Sequence, residues 1–146
     1  MLKEGKIRVL ALGIIRDSRD RIFLGQGFDT EKGEHFYRAM GGGVEFGETS
    51  EEALKREFYE EIQAELSNIK YLGCLESIFT FSGKQGHEIL FVYECDFVDP
   101  KFYDLSSINF NEKKRQKTAL WVEIEKFRSG KLKLVPEEFF QRFLAL

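Results

Sequence analysis

The sequence has few cysteines, little net charge and no long apolar run, and each shortage argues against a class of protein. Only two of its 146 residues are cysteine, Cys74 and Cys95. They lie in separate apolar stretches, without the close, repeated spacing of a cysteine metal site. We expect both to be buried, reduced thiols in a cytoplasmic protein.

The charge and hydropathy patterns argue against a nucleic-acid-binding, membrane or secreted protein. A net charge of -3 is atypical of general nucleic-acid binders, whose surfaces are basic. No segment approaches the roughly 18 consecutive apolar residues of a membrane span, and the N-terminal apolar run is too short and interrupted for a signal peptide. Repeats, low-complexity segments and linkers are not apparent in the sequence. We therefore expect one soluble cytoplasmic domain over residues 1–146, with no membrane or stable nucleic-acid partner.

Apolar periodicity predicts a mixture of strands and helices. Helices are expected from Ser50 to about Leu66 and from Pro136 onward, and strands at 7–17, 21–27, 35–40, 69–82, 87–98 and 118–127. Residues 83–86 have the composition of a hairpin connection, and the polar stretch from Asp99 to about Lys117 is predicted to be a long loop. This order predicts an α+β fold, with a mixed β-sheet flanked by helices in an α/β/α sandwich.

A glycine run followed by a glutamate-rich helix is the feature most informative about function. Glu57, Glu60 and Glu61 fall at helical spacing that brings their carboxylates close together. Clustered carboxylates repel one another unless a cation neutralises them, and their oxygens suit hard ions such as Mg²⁺ or Mn²⁺. Thr49 and Glu52 form the sequence pattern of a capping box, which places the start of this helix.

The three glycines before the helix provide exposed backbone that a ligand can approach. Gly41, Gly42 and Gly43 have no β-carbons, so their backbone can approach a ligand closely. Mg²⁺ is commonly held by a few protein ligands together with phosphate oxygens. A metal-activated water is a nucleophile suited to attack on phosphorus. The combined stretch therefore predicts metal-assisted chemistry on a phosphate chain.

The spacing within Gly42–Ala64 resembles the Nudix box of the Nudix hydrolases. Gly42 is followed after five residues by Glu48, and seven residues later comes the run Arg-Glu-Phe-Tyr-Glu-Glu, residues 56–61. Gln63 stands where the family has a glycine, so the helix either continues to about Leu66 or turns at a left-handed Gln63. The proline that many members have just before the glycines is absent here.

The resemblance implies a Nudix-type fold and an Mg²⁺- or Mn²⁺-dependent hydrolase. Such an enzyme cleaves the diphosphate linkage of a nucleoside diphosphate joined to another group. By this resemblance, Arg56 holds the carboxylates, Glu57 orients or deprotonates the attacking water, and Glu48 has a supporting role. The implied catalytic residues are Glu57, Glu60 and Arg56, and the implied metal ligands are Glu57, Glu60, Glu61, Glu112 and the carbonyl of Gly41.

Substrate contacts are expected from a smaller set: Arg38, Gly42, Gly43 and His87. Tyr37, Phe79 and Phe81 are either core residues or rings that stack on a base. Nucleoside triphosphates, dinucleoside polyphosphates, ADP-ribose and nucleotide sugars all remain open as substrates. A homodimer is compatible with the resemblance.

Two other functions are weighed against hydrolysis. One is a catalytically inactive Nudix-fold module that binds nucleotides or regulates. The other is an isomerase acting on an isoprenoid diphosphate, which in this family uses its own catalytic cysteine and glutamate. The intact Arg-Glu and Glu-Glu pairs of the box favour an active hydrolase.

Overall fold

The computed structural model describes residues 5–112 and 115–144. Seven strands dominate: β1 (Ile7–Ile14), β2 (Arg21–Asp29), β3 (Glu34–Gly43), β4 (Leu66–Phe81), β5 (Lys84–Phe97), β6 (Ser107–Glu112) and β7 (Arg115–Glu123). The helices are α1 (Ser50–Ile62), α2 (Lys101–Asp104) and α3 (Glu125–Arg128), and a π-helical turn spans Phe140–Leu144. In this part of the chain, no helix is long and apolar enough to span a membrane.

The strands form one mixed sheet in the order β4-β5-β1-β3-β2-β7-β6. The pairing of β1 with β5 is parallel, and the other strand neighbours are antiparallel. One core cluster lies where α1 packs Leu54 and Phe58 against the sheet. The other contains Phe139 and Leu144 from the C-terminal segment. A mixed sheet between such layers confirms the predicted α+β class.

Strand β3 joins the two halves of the sheet and carries the glycine run at its end. Its first part pairs with β2, and its last residues, from Met40 to Gly43, pair with β1. Gly41 has a φ of 152°, and a β-carbon there would lie 2.9 Å from the Cα of Leu12 and closer still to the Ala11 carbonyl. Glycine at this position therefore allows β3 to lie against β1.

Helix α1 ends in a left-handed turn at Gln63, one of the two outcomes that the sequence allowed. Gln63 has a φ of 54°, so the helix ends at Ile62 and does not reach Leu66. The Gln63 N–H donates to the Tyr59 carbonyl, and the Ala64 N–H donates to the Phe58 carbonyl. The bond from Gln63 to Tyr59 has the spacing of the αL C-cap motif and satisfies one of the last helical carbonyls.

The helix expected from Pro136 onward is present with a slightly later start, since helical structure runs from 138 to 144 within the described residues. Two other expectations were wrong. The stretch from Asp99 to Lys117 is not a long loop, because it contains α2, β6 and the start of β7. Cys74 is exposed on β4, whereas Cys95 is buried as expected. Strand β4 is the edge strand of the sheet, so its apolar composition did not imply burial on both faces.

Candidate active site

The first turn of α1 fixes where its carboxylates point. The Thr49 hydroxyl accepts a hydrogen bond from the Glu52 N–H at 3.1 Å, and the Glu52 carboxylate accepts from the Thr49 N–H at 3.0 Å. This is the predicted capping box. Leu54 and Phe58 are fully buried, and they set the rotation of the helix against the sheet.

Gly42 lies directly under Glu57. A β-carbon at Gly42 would lie 2.7 Å from the Glu57 Cγ and closer to its carboxylate. The glycine therefore lets the acidic side chain rest on bare backbone at the end of β3. Gly43 differs, because a β-carbon there would find Arg8 Nη2 at an ordinary 3.8 Å.

Arg56 connects the glycine run at the end of β3 to the carboxylates of α1. Its Nη2 donates to the Gly43 carbonyl at 2.9 Å and to Glu48 Oε1 at 2.6 Å. Its Nη1 donates to Glu57 Oε1 at 3.0 Å and to Glu60 Oε2 at 3.2 Å. The hydrogen bond from Arg56 holds the pKa of Glu48 below its ordinary value. One guanidinium thus fixes the loop, the supporting Glu48 and two of the candidate catalytic groups.

Glu61 and Glu112 form the partly buried acidic part of the site. Burial, followed by a hydrogen bond with the Glu112 carboxyl, raises the pKa of Glu61 to about 9. Burial also raises the pKa of Glu57, against the effect of Arg56 and with smaller contributions from Glu60 and Glu112. Within residues 5–112 and 115–144, Glu61 Oε1 is buried without a hydrogen-bond partner. The structure therefore gathers acidic groups from α1 and β6 where their charges are poorly neutralised.

This donor set fits a hard divalent cation. Carboxylate oxygens are the ligands such ions prefer, and an unpartnered buried oxygen is a group that a cation would satisfy. Among the described residues, no three acidic, histidine or cysteine side chains already converge as a metal-binding group. Glu57 and Glu60 each turn one carboxylate oxygen toward Arg56, so a cation would bind them through their other oxygens.

Two of the four residues predicted to contact substrate lie beside the carboxylates of α1, and the other two contact glutamates elsewhere on the sheet. Gly42 and Gly43 lie at the site. Arg38 donates from Nη2 to Glu88 Oε1 at 2.6 Å, so its guanidinium is committed to a carboxylate. His87 Nε2 lies 2.8 Å from a carboxylate oxygen of the exposed Glu76. The roles of Arg38 and His87 in substrate binding stay predictions.

Sequence reasoning missed Glu88 and Arg8. Glu88 is 2% exposed on β5, and it is directly opposite Arg8 in the parallel pairing of β5 with β1. The available signal was the spacing of Glu88, which precedes the buried Leu90 and Val92 by two and four residues and so lies on the same face of β5. An acidic residue on the buried face of a strand usually has a partner or a function.

Known proteins share this architecture. The family model described as NUDIX domain matches residues 6–143. The E. coli ORF135 protein superposes with a TM-score of 0.63 at 21% identity, over 97% of this chain and 91% of that one. A NUDIX hydrolase from Nitrosomonas europaea gives 0.61 at 18% identity, over 90% and 82%. The Mutator MutT protein from Bacillus halodurans gives 0.63 at 20% identity, over 95% and 83%. Comparison with curated proteins gave no match.

Proposed function

We propose that this chain, which belongs to the Nudix hydrolase family, cleaves the diphosphate linkage of a nucleoside diphosphate joined to another group. The observation that supports this most directly is the packing of α1 against β6, which brings Glu112 close enough to Glu61 and Glu57 to affect their pKa values. Elements far apart in the sequence bring acidic residues near one another, next to a glycine at the end of β3 that makes room for a carboxylate. A surface helix that was merely acidic would not need either arrangement.

The residues that would hold Mg²⁺ or Mn²⁺ are Glu57, Glu60, Glu61 and Glu112, with the Gly41 carbonyl as a further ligand. When bound, such an ion neutralises phosphate oxygens and makes a coordinated water more acidic. The buried, unpartnered oxygen of Glu61 supports this assignment.

The chain's own residues would divide the remaining work. Gly42 leaves the space that Glu57 occupies, and the diphosphate would lie beside α1 next to the open backbone of Gly43. Glu57, desolvated against Gly42, is the group placed to orient the attacking water and accept its proton. Arg56 holds Glu57 and Glu60 in position through Nη1 while its Nη2 fixes the loop. Glu48 would act through Arg56 rather than on substrate.

The proposal is tested with Glu57→Gln, which keeps the size of the side chain. Purified protein would be incubated with Mg²⁺ and a panel of nucleoside triphosphates, dinucleoside polyphosphates, ADP-ribose and nucleotide sugars, and phosphate would be measured after a coupled phosphatase or pyrophosphatase. We expect metal-dependent release by the wild type and a loss of several orders of magnitude in Glu57→Gln. Glu51→Gln is the matched control, because Glu51 lies on the same helix and, among the described residues, forms an ion pair only with Lys55.

Near-wild-type turnover by Glu57→Gln would disprove the assigned site. Nucleotide binding without turnover by the folded wild type would point instead to the inactive binding module.

The proposal also covers the setting of the enzyme. We propose a single domain over residues 1–146 that acts on small nucleotides. We place it in the cytoplasm, since both thiols are free. Assembly as a homodimer stays a prediction, to be measured by sedimentation.

A further inference from the structure

A buried acidic group with two arginines lies outside the acidic site described above. Glu88 is 2% exposed, and its Oε1 accepts a hydrogen bond from Arg38 Nη2 at 2.6 Å. Its Oε2 lies 3.6 Å from Arg8 Nη1, which is too long for a hydrogen bond. Within residues 5–112 and 115–144, Oε2 is buried with no hydrogen-bond partner.

This arrangement is costly unless something completes it. A buried carboxylate is stable only when its charge is paired and its oxygens are hydrogen-bonded. Arg8 and Arg38 supply the charge, but only one oxygen receives a short hydrogen bond. The two arginine side chains remain 23% and 27% exposed. The cluster therefore has one oxygen, Glu88 Oε2, that lacks a hydrogen-bond donor, next to two guanidinium groups that reach solvent.

The cluster reaches Gly43 from the face of the sheet opposite α1, because Glu88 shares its face with Leu90 and Val92. Arg8 Nη2 lies 3.8 Å from the position of a β-carbon on Gly43. The carbonyl of Gly43 accepts a hydrogen bond from Arg56, which holds Glu57 and Glu60. A substrate whose diphosphate lies over the glycines would extend its next group toward Arg8.

Aromatic rings lie on the same face of the sheet. Ser77 is opposite Glu88 and Phe79 is opposite Gly86 in the pairing of β4 with β5. Since side chains alternate along a strand, Phe79 and Phe81 share the face of Glu88. Both rings are only partly buried, and Phe81 packs edge-on against Phe36 with ring centroids 5.6 Å apart. Partly buried rings beside polar groups form the surface on which a planar heterocycle can stack.

We propose that Arg8, Glu88 and Arg38 recognise the nucleobase of the substrate. Glu88 Oε2 accepts an N–H of the base, and Arg8 donates to the neighbouring carbonyl or ring nitrogen. The substrate class is then a nucleoside polyphosphate whose base presents a donor beside an acceptor, in preference to diphosphates without a base. This inference rests on the proposed function, because it assigns the second part of the same substrate.

The first test uses the wild-type protein and needs no turnover. Calorimetry without added metal would compare the monophosphates of adenosine, guanosine, cytidine and uridine with purine riboside monophosphate, which lacks an N–H donor, and with ribose 5-phosphate. We expect at least one natural nucleotide to bind about 10- to 100-fold more tightly than both reference compounds, the effect of one hydrogen bond to a charged group. Equal affinities, or no measurable binding of any natural nucleotide, would overturn the proposal.

The second test uses Glu88→Gln, with folding verified by circular dichroism. The amide removes the charge that holds Arg8 and Arg38. The affinity for the nucleotide that binds most tightly should therefore fall toward the affinity for ribose 5-phosphate. Glu76→Gln is the control, because Glu76 is exposed on β4 beside His87. An unchanged base preference in Glu88→Gln would refute the assignment. Base-selective binding by a protein that hydrolyses nothing would instead contradict only the proposed function.

Discussion

Replacing Gly42 with alanine separates the geometry of the site from the stability of the fold. The new β-carbon would lie 2.7 Å from the Glu57 Cγ, whereas carbon atoms pack best at about 3.5 Å. The Glu57 side chain must therefore move by at least about 0.8 Å. The backbone at Gly42 has no positive φ, so the substitution adds no strain of its own.

The displacement falls on a catalytic candidate and should therefore reduce turnover more than stability. A misplacement of about 1 Å costs on the order of 100-fold in rate. We expect Gly42→Ala to lower kcat by about that factor, while its melting temperature stays close to that of the wild type because the end of a flexible side chain can yield.

The assay is metal-dependent phosphate release on the best substrate of the panel, with thermal unfolding measured in parallel. Gly43→Ala is the matched control at the end of the same strand, because the atoms nearest to its new β-carbon would lie at 3.8 and 4.0 Å. It should unfold at the wild-type temperature and lose much less activity. Wild-type kcat in Gly42→Ala would refute the reasoning, since it would show that the position of Glu57 over Gly42 does not matter.

Two further predictions concern the helix end and the cysteines. Gln63→Gly should stabilise the protein by about 1 kcal/mol, because glycine adopts the left-handed backbone without the steric cost, and should raise the melting temperature by about 2–4 °C; an unchanged or lower value would contradict this. Native protein should show one fast-reacting thiol at neutral pH and two after unfolding, since Cys74 is exposed and burial raises the pKa of Cys95 to about 12. Cys74→Ser should abolish the fast reaction. Because unfolded Cys95 ionises near its ordinary value of 9.0, its contribution to stability should be lost as pH rises from about 9 toward 12.

Local features were predictable because they depend on neighbours within one or two helical turns. The capping box at Thr49 and the buried stripe through Leu54 and Phe58 follow from helical periodicity, and both are found. The contact from Arg56 to Glu60 is likewise a one-turn neighbour. Two outcomes at Gln63 were open because tertiary packing decides whether a chain continues as helix or turns.

Features that join distant strands were not predictable in the same way. The stretch before Trp121 is polar on its exposed face, which hid β6 and its pairing with β7 and made it resemble a loop. Glu112 was proposed from the resemblance alone, and its position beside Glu61 depends on where β6 crosses the sheet. Cys74 was misjudged because a strand sequence does not reveal whether it lies at an edge.

The sequence by itself determined the chemistry of the box, because residues 41–61 contain the glycines, the carboxylates and the arginine at spacings that a helix and its preceding loop convert directly into positions. Only the tertiary structure brought Glu112 to Glu61 and set Arg8 opposite Glu88, with Arg38 on its other oxygen. Those contacts depend on strand order and on the change of partner along β3, and each joins residues at least 50 positions apart in the chain. No local pattern specifies such pairs, since their free energy is gained only when the sheet has formed.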